Sequence, residues 1–169
     1  MQKIVSGATL SHMDITNEWT TKNEIGSVIE KQSYIANGIE YKVDGVFVLL
    51  ESSATERGIA NVLSEQYGKM VELVPKVDYP PGIQTPDYLI DGKQYDLKSP
   101  TGTSKNLLYN MVAKKKKQAS NFIFDITGCP LLLDEINRQI SMLYLSRHTH
   151  FIDEIVVMKN EKVIKVYKR

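Results

Sequence analysis

The pattern of apolar and polar positions changes near residue 35. Before it the chain is polar, with no sustained period of 2 or 3.6, and predicts little regular structure. The segment "GIEYKVDGVFVLL" (38–50) predicts two strands paired through an Asp44-Gly45 turn. "SSATERGIANVLSEQYG" predicts a helix. Ser53 is placed to cap it, Glu56 three residues on completes a capping box, and Gly68 ends it. Ile59, Val62 and Leu63 recur on one face of that helix. "KMVELV" reads as a strand. "PKVDYPPGIQTP" reads as a loop, because its prolines remove donors and fix φ. "TPDYLIDGKQYDLKSP" (85–100) reads as a hairpin about Asp91-Gly92.

Downstream, "SKNLLYNMVAKKKKQAS" predicts a second helix with Leu108, Met111, Val112 and Ala119 inward. "NFIFDIT" predicts a buried strand. "CPLLLDEINRQISMLYLSR" predicts a third helix, with Leu133, Ile136, Ile140 and Leu143 at helical spacing. "DEIVVMKNEKVIKVYK" predicts a hairpin turning at Asn160-Glu161. From Ser53 to Thr127 the order is therefore helix, strand, strand, strand, helix, strand. Such a mixed order implies an α/β or α+β fold, a mixed sheet with helices on its faces. The chain divides into an extension, residues 1–50, and a domain at 51–169 whose core is 53–127, with an extra helix and hairpin at its end.

The central hairpin raises an electrostatic problem. With a two-residue turn, Ile90 pairs with Lys93, and counting outward sets Asp87 across from Asp96. Alternation puts Tyr88, Ile90, Tyr95 and Leu97 on an apolar face, and Asp87, Leu89, Gln94, Asp96 and Lys98 on the other. Two facing carboxylates repel, and burial would add to the cost. A divalent cation between them removes the problem, with the Lys98 ammonium beside it. The alternative is a solvated strand entrance at Asp87 and an exposed Asp96–Lys98 pair of little energetic weight. Glu56 has two readings as well: capping glutamate, or a carboxylate held at a helix start near a metal site.

Charge and composition narrow the function classes. The chain has 169 residues, enough for one domain with a core, and a net charge of only +1. Its charges are unevenly spread: seven lysines and one acid lie between Lys93 and Asn121, and five bases and one acid from Lys159 on. That asymmetry suggests a polyanionic partner. A single cysteine, Cys129, excludes an internal disulfide and a multi-thiolate zinc site. It reads as a small buried side chain at a helix start. No apolar run reaches the roughly 20 residues that span a bilayer. The first residues lack a signal peptide's apolar stretch, so export would rest on something outside this sequence. His148 and His150 share a face if extended, but read as part of a polar connection; His12 stands alone. Lys114, Lys116 and Lys117 fall off the apolar stripe of their predicted helix. Lys115 borders it, and Gln118 is placed to face the hairpin. They suggest a phosphate track as readily as a solvated face.

"PDY", eight residues between Asp87 and Asp96, then "DLK", with "ATERGIANVL" upstream, resembles the PD-(D/E)XK nuclease superfamily. More narrowly, "VPKVDYPPGIQTPDYLIDGKQYDLKSP", the lysine-rich segment and "QASNFIFDIT" look like the C-terminal toxin domains of contact-dependent growth inhibition proteins. Many such domains cleave transfer RNA. The resemblance covers about residues 50–130. It implies a restriction-endonuclease-like core and metal-dependent hydrolysis of RNA. DNA cleavage, or nucleic-acid binding without catalysis, are the alternatives. It implies that Asp87, Asp96 and the Leu97 carbonyl hold one or two magnesium or manganese ions, with Glu56 reaching the metal directly or through water. Glu51 and Glu65 are weaker candidates for that last role. Lys98 would orient and help deprotonate the attacking water, and Lys114, Lys116, Lys117 and Gln118 would contact nucleic acid. It further implies delivery from a cell surface into a target cell's cytoplasm, and a cognate immunity protein.

Overall fold

A computed structural model describes residues 11–116 and 118–169, together with the backbone of 4–5 and 8–9. In chain order the strands and helices are β1 (Ile4–Val5), β2 (Ala8–Thr9), β3 (Met13–Asp14), α1 (Thr16–Thr20), β4 (Ser27–Glu30), β5 (Ser33–Ala36), β6 (Ile39–Lys42), β7 (Val48–Leu49), α2 (Ala54–Tyr67), β8 (Met70–Leu73), β9 (Lys76–Val77), β10 (Tyr88–Ile90), β11 (Lys93–Lys98), α3 (Leu107–Val112), β12 (Asn121–Asp125), α4 (Leu133–Leu145), β13 (Glu154–Lys159) and β14 (Lys162–Lys168). The chain forms two compact units interleaved in sequence. One holds the chain up to Thr20 with Leu97–Lys116 and Ser120–Arg169; the other holds Thr21–Asp96 and Lys117–Ala119. Each has mixed strand pairing with helix packed on it, in keeping with the expected fold class.

In the first unit β12 runs parallel to β13, β13 pairs antiparallel with β14, and β14 with β3. Phe122 and Phe124 of β12, Ile155 and Val157 of β13, Leu108 and Val112 of α3, and Ile136, Ile140 and Leu143 of α4 make one closed core. Burying each such side chain stabilises by about 1.5–3 kcal/mol. The β13–β14 turn has Asn160 and Glu161 both at positive φ, 50° and 62°, which is the hairpin expected there.

In the second unit β4 runs parallel to β8, β8 pairs antiparallel with β10, and β10 with β11. Tyr88, Ile90 and Tyr95 of the hairpin are buried, with Ile59 and Leu63 of α2 and Val71 and Leu73 of β8. Ser53 and Glu56 form the full capping box, and Gly68 at φ 65° closes α2 through its N–H to the Leu63 carbonyl. Gly26 lies so close to Lys69 that a Cβ would stand 1.9 Å from the Lys69 carbonyl oxygen, so this entry to β4 requires glycine.

Several expectations are corrected. Among the described residues before 35, β3 and β4 are sheet strands, and Ile15 and Trp19 are buried. These short strands receive partners from distant segments, so local periodicity does not reveal them. The 38–50 segment is not a strand pair. β6 pairs with β5 through Asn37-Gly38, both at positive φ (51° and 79°), and β7 pairs with β9. Asp44 does not sit in a two-residue hairpin turn. Its Oδ1 accepts from the amides of Val46, Phe47 and Val48, an aspartate-closed loop. The second helix ends at Val112, so Lys114, Lys115 and Lys116 are not on it; Lys117 lies outside the described residues. Ala119 is buried and Gln118 is hydrogen-bonded in the second unit, and these tertiary demands override the helical propensity of the lysines. Leu133 is at the first position of α4 and 40% exposed, not in the core. Cys129 is half-buried and precedes that helix by four residues.

Candidate functional site

The expected register is observed: Tyr88 faces Tyr95, Leu89 faces Gln94, and Ile90 faces Lys93. Extended by one position, it sets Asp87 opposite Asp96. The Asp91-Gly92 turn has φ of 50° and 84°, the two left-handed positions such a turn needs. Tyr88 and Tyr95 anchor the apolar face. The Tyr88 hydroxyl donates to the Glu56 carbonyl at 2.7 Å, tying the hairpin to the first turn of α2.

Glu56, Asp87, Asp96 and Gln118 all belong to the second unit. Asp96 is 1% exposed, and its Oδ1 accepts from Gln118 Nε2 at 2.9 Å. The same nitrogen donates to the Thr85 carbonyl at 3.1 Å. Gln118 thus holds a carboxylate in place. A carboxylate buried this deeply costs several kcal/mol unless hydrogen bonds or charge offset it.

Sequence reasoning missed Lys76. Its Nζ donates to Asp87 Oδ1 at 2.7 Å and stands 3.5 Å from Glu56 Oε2. Burial pulls this ammonium's pKa down, but attraction and hydrogen bonding from Asp87, then Glu56, outweigh it and the net shift is upward. Lys76 lies in a two-residue strand after Pro75, too short for any periodicity to show. The only signal was a lone base in the stretch "ELVPKVD". Glu56 performs the capping role weighed for it. Oε1 accepts from the Ser53 amide, while buried Oε2 turns to the Lys76 ammonium at 3.5 Å, a long contact that leaves it short of a close donor.

Lys98 and Leu97 follow Asp96 on β11, half-buried; Lys98 shares the Asp96 face by alternation. Glu51 and Glu65 are exposed, and so are Lys114, Lys116, His148 and His150; Lys115 is half-buried. His12 stacks on Tyr144 at 4.6 Å between ring centroids. Burial, and next to it Arg169, lower its pKa despite Asp14.

Among the described residues, no three His, Cys, Asp or Glu side chains gather as a ligand set. In kind, however, the donors fit a divalent cation. Carboxylate oxygens of Asp87 and Glu56 already converge on one positive charge, and buried Glu56 Oε2 meets it only at 3.5 Å. These are the hard oxygen ligands magnesium or manganese prefers. Lys76 performs the neutralisation here.

Residues 84–163 match the family described as the contact-dependent growth inhibition CdiA C-terminal domain, just under half of the chain. The chain is also similar to a chain in a solved CdiA-CT/CdiI toxin and immunity complex from Burkholderia pseudomallei, at 18% identity and a TM-score of 0.48. That alignment covers 85% of this chain and 100% of the other. No curated protein matches the sequence.

Proposed function

We propose that this chain is the toxin domain of a contact-dependent growth inhibition system. In this reading it acts as a metal-dependent endonuclease on RNA, transfer RNA foremost. The reading rests on one arrangement above others: buried Asp96 lies across a hairpin from Asp87, which shares a cation with Glu56. The family match over 84–163 includes Asp87, Asp96 and Lys98 and supports the toxin assignment.

In this proposal Asp87 and Asp96, with the Leu97 carbonyl, would hold the ion, and Glu56 would reach it directly or through water. Bound magnesium or manganese would supply Lewis acidity toward the phosphoryl oxygens and lower the pKa of the attacking water. Lys98 would orient the attacking water and favour loss of its proton. Gln118 keeps the Asp96 carboxylate aimed. Lys114 and Lys116, both exposed, steer the phosphate backbone in a salt-dependent way. Such a toxin acts in a target cell's cytoplasm after delivery from another cell's surface. The cell that makes it is protected by a cognate immunity protein.

The test incubates the full chain with total RNA, purified transfer RNA and plasmid DNA, each with magnesium or with EDTA. Magnesium-dependent cleavage of RNA, lost in both Asp96→Asn and Lys98→Ala, is the expected result. Cleavage that persists in EDTA, or in both variants, refutes the site. Cleavage of DNA alone reassigns the substrate, and metal-independent binding without turnover reassigns the chain as a binding module.

A further inference from the structure

Tyr34, Asn37, Gln84 and Gln94, with Gly82 and Ile35, line a pocket of about 260 Å³ within the second unit. Its polar lining is made of three amides and a phenol. No carboxylate, ammonium or guanidinium lines it. The Gln94 side-chain amide donates to the Tyr34 hydroxyl, so strand β11 and hairpin β5–β6 are joined across the pocket. Tyr34 is buried and gives the pocket an aromatic ring, while Gln84, Asn37 and Gln94 are exposed. Gln94 also lies two residues before Asp96 on the same strand face, about 7 Å away at the strand rise.

An uncharged pocket of this size, lined with amides, suits a planar ligand that both donates and accepts hydrogen bonds. Phosphates would find no counter-charge in it, and peptides or lipids would outgrow it. Amide side chains pair with base edges, and unstacked RNA bases are held against aromatic residues and read on those edges. We propose that this pocket takes one unpaired nucleobase of the substrate and sets the sequence preference of the cut, Asn37, Gln84 and Gln94 reading the base edge. This rests on the nuclease reading of Asp96 and its neighbours, to which it adds the determinant of specificity.

Two readouts test it on the full chain. First, a randomised single-stranded RNA pool is digested in magnesium and the ends are sequenced. Wild type is expected to favour one base at a fixed distance from the cut, and Gln94→Ala and Gln84→Ala to reduce that preference by about tenfold. The preference is a ratio within one reaction, so a change in overall rate leaves it readable. Second, binding of the four free nucleosides is followed by NMR line shifts in the absence of metal. One nucleoside is expected to perturb signals of residues 34–37 and 82–84, and Gln94→Ala to remove the effect. RNA cleavage with the same base preference in both variants, and no nucleoside binding, overturns the pocket while the nuclease reading stands. Nucleoside binding lost in Gln94→Ala, in a chain that cuts no RNA, upholds the pocket and overturns the nuclease reading. Neither binding nor cleavage overturns both.

Discussion

Replacing Lys76 with methionine removes a cation held between Asp87 and Glu56 while keeping most of its apolar stem. The ammonium lies 2.7 Å from Asp87 Oδ1 and 3.5 Å from Glu56 Oε2. At an effective dielectric of about 20, those distances give attractions of about 6 and about 5 kcal/mol. Desolvation of three charges, and repulsion between the two carboxylates, offset much of that sum. Removing one partner of a buried pair typically costs about 3–5 kcal/mol, and an exposed pair below about 1. Side-chain exposures of 27%, 13% and 15% for Lys76, Asp87 and Glu56 place the trio between these limits, nearer the buried one. We therefore expect a loss of about 2–3 kcal/mol. With a urea dependence of about 2 kcal/mol/M, the unfolding midpoint falls by about 1–1.5 M.

The pH profile of that loss has a definite direction. The folded state raises the Lys76 pKa above its ordinary value of 10.5. The trio's contribution is therefore complete below pH 10.5 and fades as pH climbs through the raised folded value. The gap between wild type and Lys76→Met should narrow over that window. Magnesium should also raise the variant's midpoint more than the wild type's, because the two carboxylates then lack the Lys76 ammonium. A midpoint unchanged at neutral pH would refute the electrostatic account of the trio. Equal magnesium stabilisation of both proteins would refute the idea that Lys76 stands in for the ion.

Gln118→Ala removes the donor shared by Asp96 and the Thr85 carbonyl. It should cost about 2 kcal/mol, read as a urea midpoint lower by about 1 M. If Gln118 instead served only to contact nucleic acid, stability would not change. His12 gives a pH prediction of the opposite sense to Lys76. Its folded pKa lies below 6.5, so the unfolded chain binds the extra proton and stability declines as pH falls from about 6.5 through the lower folded value. The decline should be smaller in His12→Phe, which keeps an aromatic ring over Tyr144; identical profiles from pH 7.5 to 5 would contradict this. Ser53→Ala breaks the capping box of α2 and should cost about 1 kcal/mol in thermal unfolding, an effect absent if Glu56 is fixed by Lys76 alone.

What could be read from the sequence is local in origin. The α2 cap and stop, the Asp91-Gly92 turn, the pairing register and the buried strand β12 each depend on residues a few positions apart. Alternation about one turn was enough to bring Asp87 and Asp96 face to face, because a two-residue turn leaves no freedom in register. The short strands escaped. β4, β7 and β9 are stable only against β8, β9 and β7, and a segment of two to four residues carries no period of its own.

The lysine-rich segment shows the limit from the other side. It has the composition of a helix, yet the chain leaves helical geometry at Ala113 so that Gln118 and Ala119 can meet distant partners. Lys76 is the clearest case. Which cation neutralises Asp87 and Glu56 is a matter of distances between segments 20 and 11 residues apart from it, and those exist only once the chain is folded. Sequence by itself determined that two carboxylates would face each other on a hairpin, since backbone pairing is short-range and periodic. Tertiary structure alone decided that Lys76 balances Asp87 together with Glu56, because electrostatic energy depends on separation in space and is indifferent to separation along the chain.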